Sequence, residues 1–292
     1  MSKYFRQTLD CLLFSNIFIA LCAVAQALVT YRLIDAKPNK NILAILFCST
    51  LALYNFSILL SKPKNPKISP FRRVQWIFSH YRFNVTLTII ASFSLIPLTL
   101  FLSIPSLMLL SFLALISVAY NLPVLRFHHQ WFGLRSIPGA KLFLIALVWS
   151  FSCVLLPIVE LKSTQAFNFS IQNSVLLVIN EFFFMAAITI PFDVRDLFQD
   201  KQNLLRTLPT MLGEKRAMLL CYAFLLLYLI LLFLPIHSLD RWNALALTLS
   251  ICLSAWVILK SNLSRNEYFY FLFLDGTMIA QFLILLMVDA LV

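Results

Sequence analysis

The residues best suited to chemistry in this sequence are three aspartates between two long apolar runs. Asp193, Asp196 and Asp200 are spaced i, i+3 and i+7, which places side chains on one face of an α-helix. Like charges on one face repel, so the spacing favours a cation between them. Oxygen ligands suit a hard cation, and Mg²⁺ is usually held by a few carboxylates together with substrate phosphates. We therefore predict a Mg²⁺ site here, and the alternative is a solvated acidic helix end.

The composition indicates which elements position these acids. The chain has 292 residues, of which 61% are hydrophobic and only 12% are charged. Such a composition predicts an all-α polytopic membrane protein, and it leaves no room for a separate soluble domain. We therefore treat residues 1–292 as a single transmembrane domain embedded in the lipid bilayer, in the inner membrane if the source is bacterial.

Nine apolar runs are long enough to span a bilayer. A basic start and an apolar first run also resemble a cleavable signal peptide, but a retained span completes the count. The two spans joined by 103–104 should form a close antiparallel pair, and no segment has a strand pattern. The predicted spans are 12–31, 42–60, 85–102, 105–120, 142–159, 174–190, 217–234, 244–259 and 268–291.

The basic residues orient these spans. Of the 23 Lys and Arg residues, 18 lie at the amino terminus and in every second loop. Positive loops stay on the cytoplasmic side, so this bias predicts a cytoplasmic amino terminus and an external carboxyl terminus. It also explains the net charge of +11 without a nucleic-acid partner. The three aspartates are then cytoplasmic.

The segment 191–213, PFDVRDLFQDKQNLLRTLPTMLG, resembles the second aspartate-rich motif of the UbiA superfamily of membrane prenyltransferases. The motif reads D-x-x-D, a further Asp, a Gly, then T-L-P and L-G. Leu204 replaces the motif's Gly, and the matching positions are Asp193, Asp196, Asp200, Thr207, Leu208, Pro209, Leu212 and Gly213. The resemblance implies nine helices around a central apolar chamber with an aspartate-rich cytoplasmic mouth.

The resemblance also implies a reaction, in which a prenyl group moves from a prenyl diphosphate to a lipophilic acceptor, aromatic or lipidic. Mg²⁺ held by the three aspartates would stabilise the departing diphosphate, with Asp193 and Asp196 as catalytic residues. Arg195 and Arg206 would contact the diphosphate, whereas membrane topology explains Lys201 equally well. The Tyr120-Asn121-Leu122-Pro123 turn resembles a Tyr-Ser-x-Pro segment of the family and makes Tyr120 a candidate for substrate binding.

The family's first motif, N-x-x-x-D-x-x-x-D, is degenerate here. Asn55 is retained as a catalytic candidate, but Leu59 and Pro63 replace the two aspartates. Lys62 lies seven residues after Asn55, on the same side of the second span. We predict that its ammonium supplies a cation to the diphosphate, with topological positive charge as the alternative.

Two functions remain open from the sequence. The first is a divergent Mg²⁺-dependent prenyltransferase. The second is a non-catalytic relative that binds isoprenoids or assists membrane assembly. Two acids inside spans, Glu181 and Asp275, are either functional groups facing the chamber or protonated carboxyls bonded to neighbouring helices.

Overall fold

The computed structural model describes residues 3–63, 65–122, 125–127, 130–165, 167, 169–202, 206–234, 240–261 and 265–291. Helices dominate these residues, which confirms the predicted all-α class. The helices are α1 (Lys3–Phe14), α2 (Ile17–Leu33), α3 (Lys40–Leu60), α4 (Arg72–Ser79), α5 (Tyr81–Thr99), α6 (Ile104–Asn121), α7 (Ala140–Ser150), α8 (Leu156–Thr164), α9 (Ile171–Arg195), α10 (Leu197–Gln202), α11 (Leu208–Leu212), α12 (Glu214–Leu232), α13 (Arg241–Lys260) and α14 (Gly276–Leu291).

Within the described residues, eight helical stretches are long and apolar enough to cross a membrane, and the bent pair α1–α2 brings the count to nine. The predicted polytopic architecture is therefore confirmed. Helices suit a bilayer because their backbone groups are satisfied within the segment. Helix α9 lies in the centre, packed against α7 and α12, and most of its second half is buried.

The first span is broken, which the sequence pattern did not predict. Helices α1 and α2 meet at an angle of 61°, because Asn16 adopts a left-handed conformation with φ 67° and ψ 11°. Asparagine is one of the few residues that tolerate this region. The bend turns the backbone at Ser15 and the side chain of Asn16 towards α3 and α4.

The fifth span joins α7 to α8 through a π-helical turn, Phe151–Leu155. Pro157 follows this turn and has no N–H to donate to the carbonyl of Cys153. The hydroxyl of Thr30 on α2 donates to that carbonyl instead, at 3.0 Å. The proline thus frees a backbone acceptor that ties α2 to the fifth span.

The last span also contains a π-helical turn, Phe269–Leu274, which precedes α14. Its wider spacing is visible in the hydrogen bond from the Asp275 N–H to the Tyr270 carbonyl, five residues back. A π-turn rotates the residues that follow it relative to a regular helix. Asp275, at the end of the turn, lies against a cavity described below.

Two sequence expectations were wrong. A short antiparallel hairpin pairs Leu125–Phe127 (β1) with Gln130–Phe132 (β2), where no strand pattern was found; three-residue strands are too short to show alternation. The short connection between α5 and α6 does not make them a closely packed pair. Helix α5 packs along α3 instead, where the small side chains of Ala52 and Ala91 let the two helices approach.

Candidate functional site

A cavity of about 340 Å³ lies among α1, α2, α3, α4, α7, α9 and the last span. One part of its wall is apolar and includes Ile19, Ile145, Met185, Ile188 and Met278. The remaining wall carries six acidic or basic side chains: Arg73, Lys141, Asp193, Arg195, Asp196 and Asp275. The predicted chamber is therefore apolar in part only, and one region of it is densely charged.

Asp193 is held by a lysine that the sequence analysis did not select. The Nζ atom of Lys141, in the first turn of α7, lies 2.5 Å from Asp193 Oδ1. The contact is a close ion pair rather than a well-directed hydrogen bond, since Oδ1 has no hydrogen-bond partner of good geometry. The aspartate is 2% exposed and the lysine 25%. A buried carboxylate of this kind requires such a counter-charge.

Asp196 directly follows the last residue of α9 and pairs with its neighbour Arg195. The Arg195 Nε atom donates to Oδ1 at 2.8 Å and Nη2 donates to Oδ2 at 3.0 Å, a bidentate arrangement. The guanidinium also lies 5.1 Å from the ring centres of both Tyr270 and Phe271, close enough for cation–π attraction. The structure thus brings Arg195, predicted to bind substrate, to the cavity wall.

Asp200 is not on the same helix as Asp193. Helix α9 ends at Arg195, because Asp196 has ψ 3°, and Asp200 belongs to the short helix α10. Its carboxylate is buried, and the Oδ2 atom has no hydrogen-bond partner among the described residues. Burial raises the pKa of Asp200, and the nearby Lys141 charge and a hydrogen bond from Thr207 partly offset this.

Arg73 is a second basic residue that sequence reasoning missed. The two oxygens of Glu267 accept the backbone N–H groups of Arg72 and Arg73 at 2.8 Å each, which fixes the start of α4. The Arg73 guanidinium lies 4.4 Å from the ring centre of Phe271. Its Nη2 atom donates to Asn16 Oδ1 at 2.5 Å. Burial and the neighbouring Arg195 charge lower the pKa of Arg73 to about 10, so it is charged at neutral pH.

Asn55, retained from the degenerate motif, does not line the cavity but contacts a residue that does. Its Oδ1 atom accepts from Asn16 Nδ2 at 2.8 Å, and its own Nδ2 donates to the Ser15 carbonyl at 3.0 Å. Asn55 is buried and is not among the cavity-lining residues. It therefore positions the bend between α1 and α2 and, through Asn16, the guanidinium of Arg73.

The remaining predicted contacts lie elsewhere. Lys62 is exposed, and its Nζ atom lies over the rings of Phe78 and Tyr81 at 5.9 and 5.7 Å. Lys201 and Arg206 are exposed as well, and none of these three basic residues lines the cavity. The structure does not bring them to the other candidates.

Tyr120 lines a second, mainly apolar cavity of about 260 Å³ among α3, α6 and α7. Arg73, which also lines the first cavity, Ser57 and Asn121 are among the polar residues in the wall of this second cavity, and the Ser57 and Asn121 side chains share a hydrogen bond of 2.6 Å. Tyr54 and Trp149 line both cavities, which are therefore adjacent.

The two intramembrane acids have different surroundings. Asp275 lines the first cavity and forms no ion pair within the part of the chain that the structure describes. Glu181 is buried in the middle of α9, and its Oε1 atom has no hydrogen-bond partner there. Glu181 is not a cavity-lining residue, so only Asp275 can meet a molecule in the cavity.

The donor atoms suit a single hard cation that a substrate would help to bind. Within the described ranges, no three acidic, histidine or cysteine side chains converge on one point. Asp193 and Asp196 are each paired with a basic side chain, whereas Asp200 has an unpaired buried oxygen. Mg²⁺ commonly needs only one or two carboxylates when phosphate oxygens complete its coordination. Leu59 and Pro63 stand where the first motif has aspartates, so a second cation would lack those two ligands.

Sequence signals for the missed residues were weak. Lys141 is a single lysine at the start of an apolar run, which the positive-inside rule produces in any case. Arg73 is one of six basic residues between the second and third spans. Asn16 stands inside an apolar run without a proline or glycine beside it. No local pattern separates these residues from their neighbours.

Fold and site together define a polytopic membrane protein with a charged pocket inside a helical bundle. No family model and no curated sequence matches the chain. Solved structures do match: a UbiA homologue from Archaeoglobus fulgidus bound to GPP and Mg²⁺ has a TM-score of 0.66 and 11% identity, over 97% of this chain and 99% of that one.

Two further structures agree. An apo UbiA homologue from Aeropyrum pernix K1 has a TM-score of 0.62 and 14% identity, over 94% of this chain and 96% of that one. A structure described for digeranylgeranylglyceryl phosphate synthase in membranes has a TM-score of 0.55 and 15% identity, over 98% of this chain and 99% of that one. This chain has the fold of these UbiA homologues, which is the fold that the sequence resemblance implied.

Proposed function

We propose that this protein transfers a prenyl group from a prenyl diphosphate to a lipophilic acceptor. The observation that carries the proposal is the cavity with Lys141, Arg195 and Arg73 in one part of its wall and apolar side chains in the rest. A prenyl diphosphate has the same two-part chemistry, an anionic head on an apolar chain. The UbiA fold supports this choice, since one structure of that fold holds GPP and Mg²⁺.

The basic side chains would bind the head group. Arg195 and Lys141 each offset one aspartate, and phosphate oxygens would complete their hydrogen bonding, because Arg195 Nη1 has no partner among the described residues. Mg²⁺ would be held by Asp200 with one of its neighbours Asp193 and Asp196 and by phosphate oxygens, and when bound it supplies Lewis-acid stabilisation of the leaving diphosphate. We propose these residues as the metal and substrate ligands. We also propose that the site lies on the cytoplasmic side of the membrane.

The transfer itself breaks the bond between C1 of the prenyl chain and the diphosphate oxygen, which leaves with the electron pair. The acceptor forms a bond to C1 and loses a proton. Asp275 is the carboxylate placed to accept that proton, because it lines the cavity without an ion pair in the described structure. The second cavity, with Tyr120 and Trp149 in its wall, would hold the apolar chain or the acceptor.

The test is incubation of the purified protein with prenyl diphosphates of several lengths, with and without Mg²⁺. Pyrophosphate release is measured after addition of a membrane lipid extract as the source of acceptor. We expect release that depends on the extract and on Asp193, and the Asp193→Asn variant should lose it. Binding of the diphosphate without any release, under all conditions, would refute the transfer reaction.

The alternative is a non-catalytic isoprenoid-binding protein. It is favoured by one observation: Asp193 and Asp196 already have basic partners, so the charges balance without a metal ion. The same experiment separates the two functions. A non-catalytic protein would bind prenyl diphosphates or other isoprenoids and release no pyrophosphate.

A further inference from the structure

We propose that Arg73 supplies positive charge to the diphosphate in place of the cation that the two replaced aspartates of the first motif would recruit, and that Asn16 and Asn55 hold it in position. This inference rests on the proposed prenyl diphosphate substrate. Lys62, the candidate weighed in the sequence analysis, does not fill this role, because its Nζ atom lies over the rings of Phe78 and Tyr81 and it does not line the cavity.

Charge is the first ground for this assignment. Three basic side chains line the cavity, and two of them, Lys141 and Arg195, are already paired with aspartates. Arg73 forms no ion pair with any described residue. The charges of Asp275 and Glu267 act on its guanidinium through space, but no described carboxylate pairs with it directly, so it can bind an anion in the cavity. Its Nε atom is buried and lacks a hydrogen-bond partner there.

Position is the second ground. The family's first motif projects from the end of the second span, which here is α3. Asn55 on α3 bonds to Asn16, and Asn16 accepts a hydrogen bond from Arg73. The one residue retained from the motif thus holds, through one intermediate, the cation that faces the cavity. Glu267 fixes the backbone of the same arginine from the loop before the last span.

A guanidinium can also replace a metal ion chemically as a source of positive charge. Metal ions bound by aspartates deliver positive charge to a diphosphate, and a guanidinium does so directly with several N–H donors in a fixed plane. The loss of both aspartates in the motif removes the ligands of the ion. Arg73 restores a positive charge without requiring them. The site would then use one metal ion and one arginine.

Binding of geranyl S-thiolodiphosphate, which resists cleavage, tests the proposal in detergent-solubilised full-length protein. Its affinity is measured by titration calorimetry in Mg²⁺ and in EDTA. Arg73→Ala should weaken binding about 10- to 150-fold, the range for hydrogen bonds to charged groups, and by the same factor in both buffers. The matched control is Arg72→Ala, since Arg72 pairs with Asp10 outside the cavity; its affinity should change less than about twofold.

The positioning role has its own test. Asn16→Gly keeps the left-handed backbone but removes the amide that holds the guanidinium. It should weaken binding in the wild-type background and have no further effect in the Arg73→Ala background. Equal losses from Asn16→Gly in both backgrounds would mean that Asn16 acts on the fold and not through Arg73. Arg73→Gln replaces Arg73→Ala if the alanine variant does not fold.

Failure of this inference differs from failure of the proposed function. If the wild-type protein binds the analogue and Arg73→Ala behaves like Arg72→Ala, Arg73 is not the stand-in. If Arg73→Ala binds the analogue more weakly in Mg²⁺ but not in EDTA, the proposal is also overturned. Arg73 would then act only by positioning the Mg²⁺ ion. No binding by the wild-type protein in either buffer would refute the prenyl diphosphate substrate itself.

Discussion

The ion pair between Lys141 and Asp193 should dominate the stability of the empty site. Asp193 is 2% exposed, and Lys141 Nζ lies 2.5 Å from its Oδ1 atom. Lys141→Met keeps the apolar stem but leaves the carboxylate buried without a counter-charge. Removal of one partner of a buried pair costs about 3–5 kcal/mol, and we expect the free energy of unfolding to fall by that amount.

The reverse change should cost less. Asp193→Asn leaves an ammonium that is 25% exposed and can reach water at the end of α7. The double variant Lys141→Met with Asp193→Asn removes both charges, so it should be more stable than Lys141→Met alone. The coupling energy of the cycle should be about 2–3 kcal/mol, in the upper part of the range for residues in contact.

The assay is reversible unfolding in mixed micelles, followed by tryptophan fluorescence in a buffer with EDTA and no diphosphate. The matched control is Lys201→Met, since Lys201 is exposed and its loss should change stability by less than about 0.5 kcal/mol. A loss of less than about 1 kcal/mol in Lys141→Met, or additive losses in the double variant, would refute the account of a buried pair.

Three further predictions concern sidedness and chemistry. A cysteine at Gln202 should be protected from impermeant reagents in intact cells, and one at Asp240 should be labelled, because 18 of 23 basic residues lie on the Gln202 side. The opposite labelling pattern would show that the predicted topology is inverted. Asp275→Asn should leave diphosphate binding intact and slow prenyl transfer about 10²- to 10⁴-fold, as expected for a lost proton acceptor; unchanged turnover in a prenyl-transfer assay would exclude that role. Arg206→Ala should change diphosphate affinity about twofold at most, since Arg206 is exposed, and a tenfold loss in titration calorimetry would return it to the site.

Without the aspartates of the first motif, basic side chains supply much of the positive charge in the site. Arg195 and Asp196 form a bidentate pair, Lys141 and Asp193 form an ion pair, and the Arg73 guanidinium forms no ion pair in the described structure. The protein therefore carries much of the positive charge in its own side chains. This arrangement predicts a weaker dependence of diphosphate binding on Mg²⁺ than two intact aspartate motifs would produce.

The sequence by itself determined the class of protein and one half of the site. Membrane spans follow from the number of consecutive apolar residues, which is a local property. The aspartates at 193, 196 and 200 lie close together because they are near in sequence, and all three are at the same end of α9 or just beyond it. The family resemblance rested on the same short segment, and the fold that it implied was confirmed.

Only the tertiary structure decided the other half. Arg73 and Asn16 are 57 positions apart, and Asn16 and Asn55 are 39 apart, so their contact depends on how α2, α3 and α4 pack. From the sequence alone, membrane topology is enough to explain Lys141. Its contact with Asp193 depends on the packing of α7 against α9. A basic residue at a span end satisfies the positive-inside rule wherever its side chain points. Its role depends on the neighbouring helix, and that neighbour is set by packing across the whole bundle.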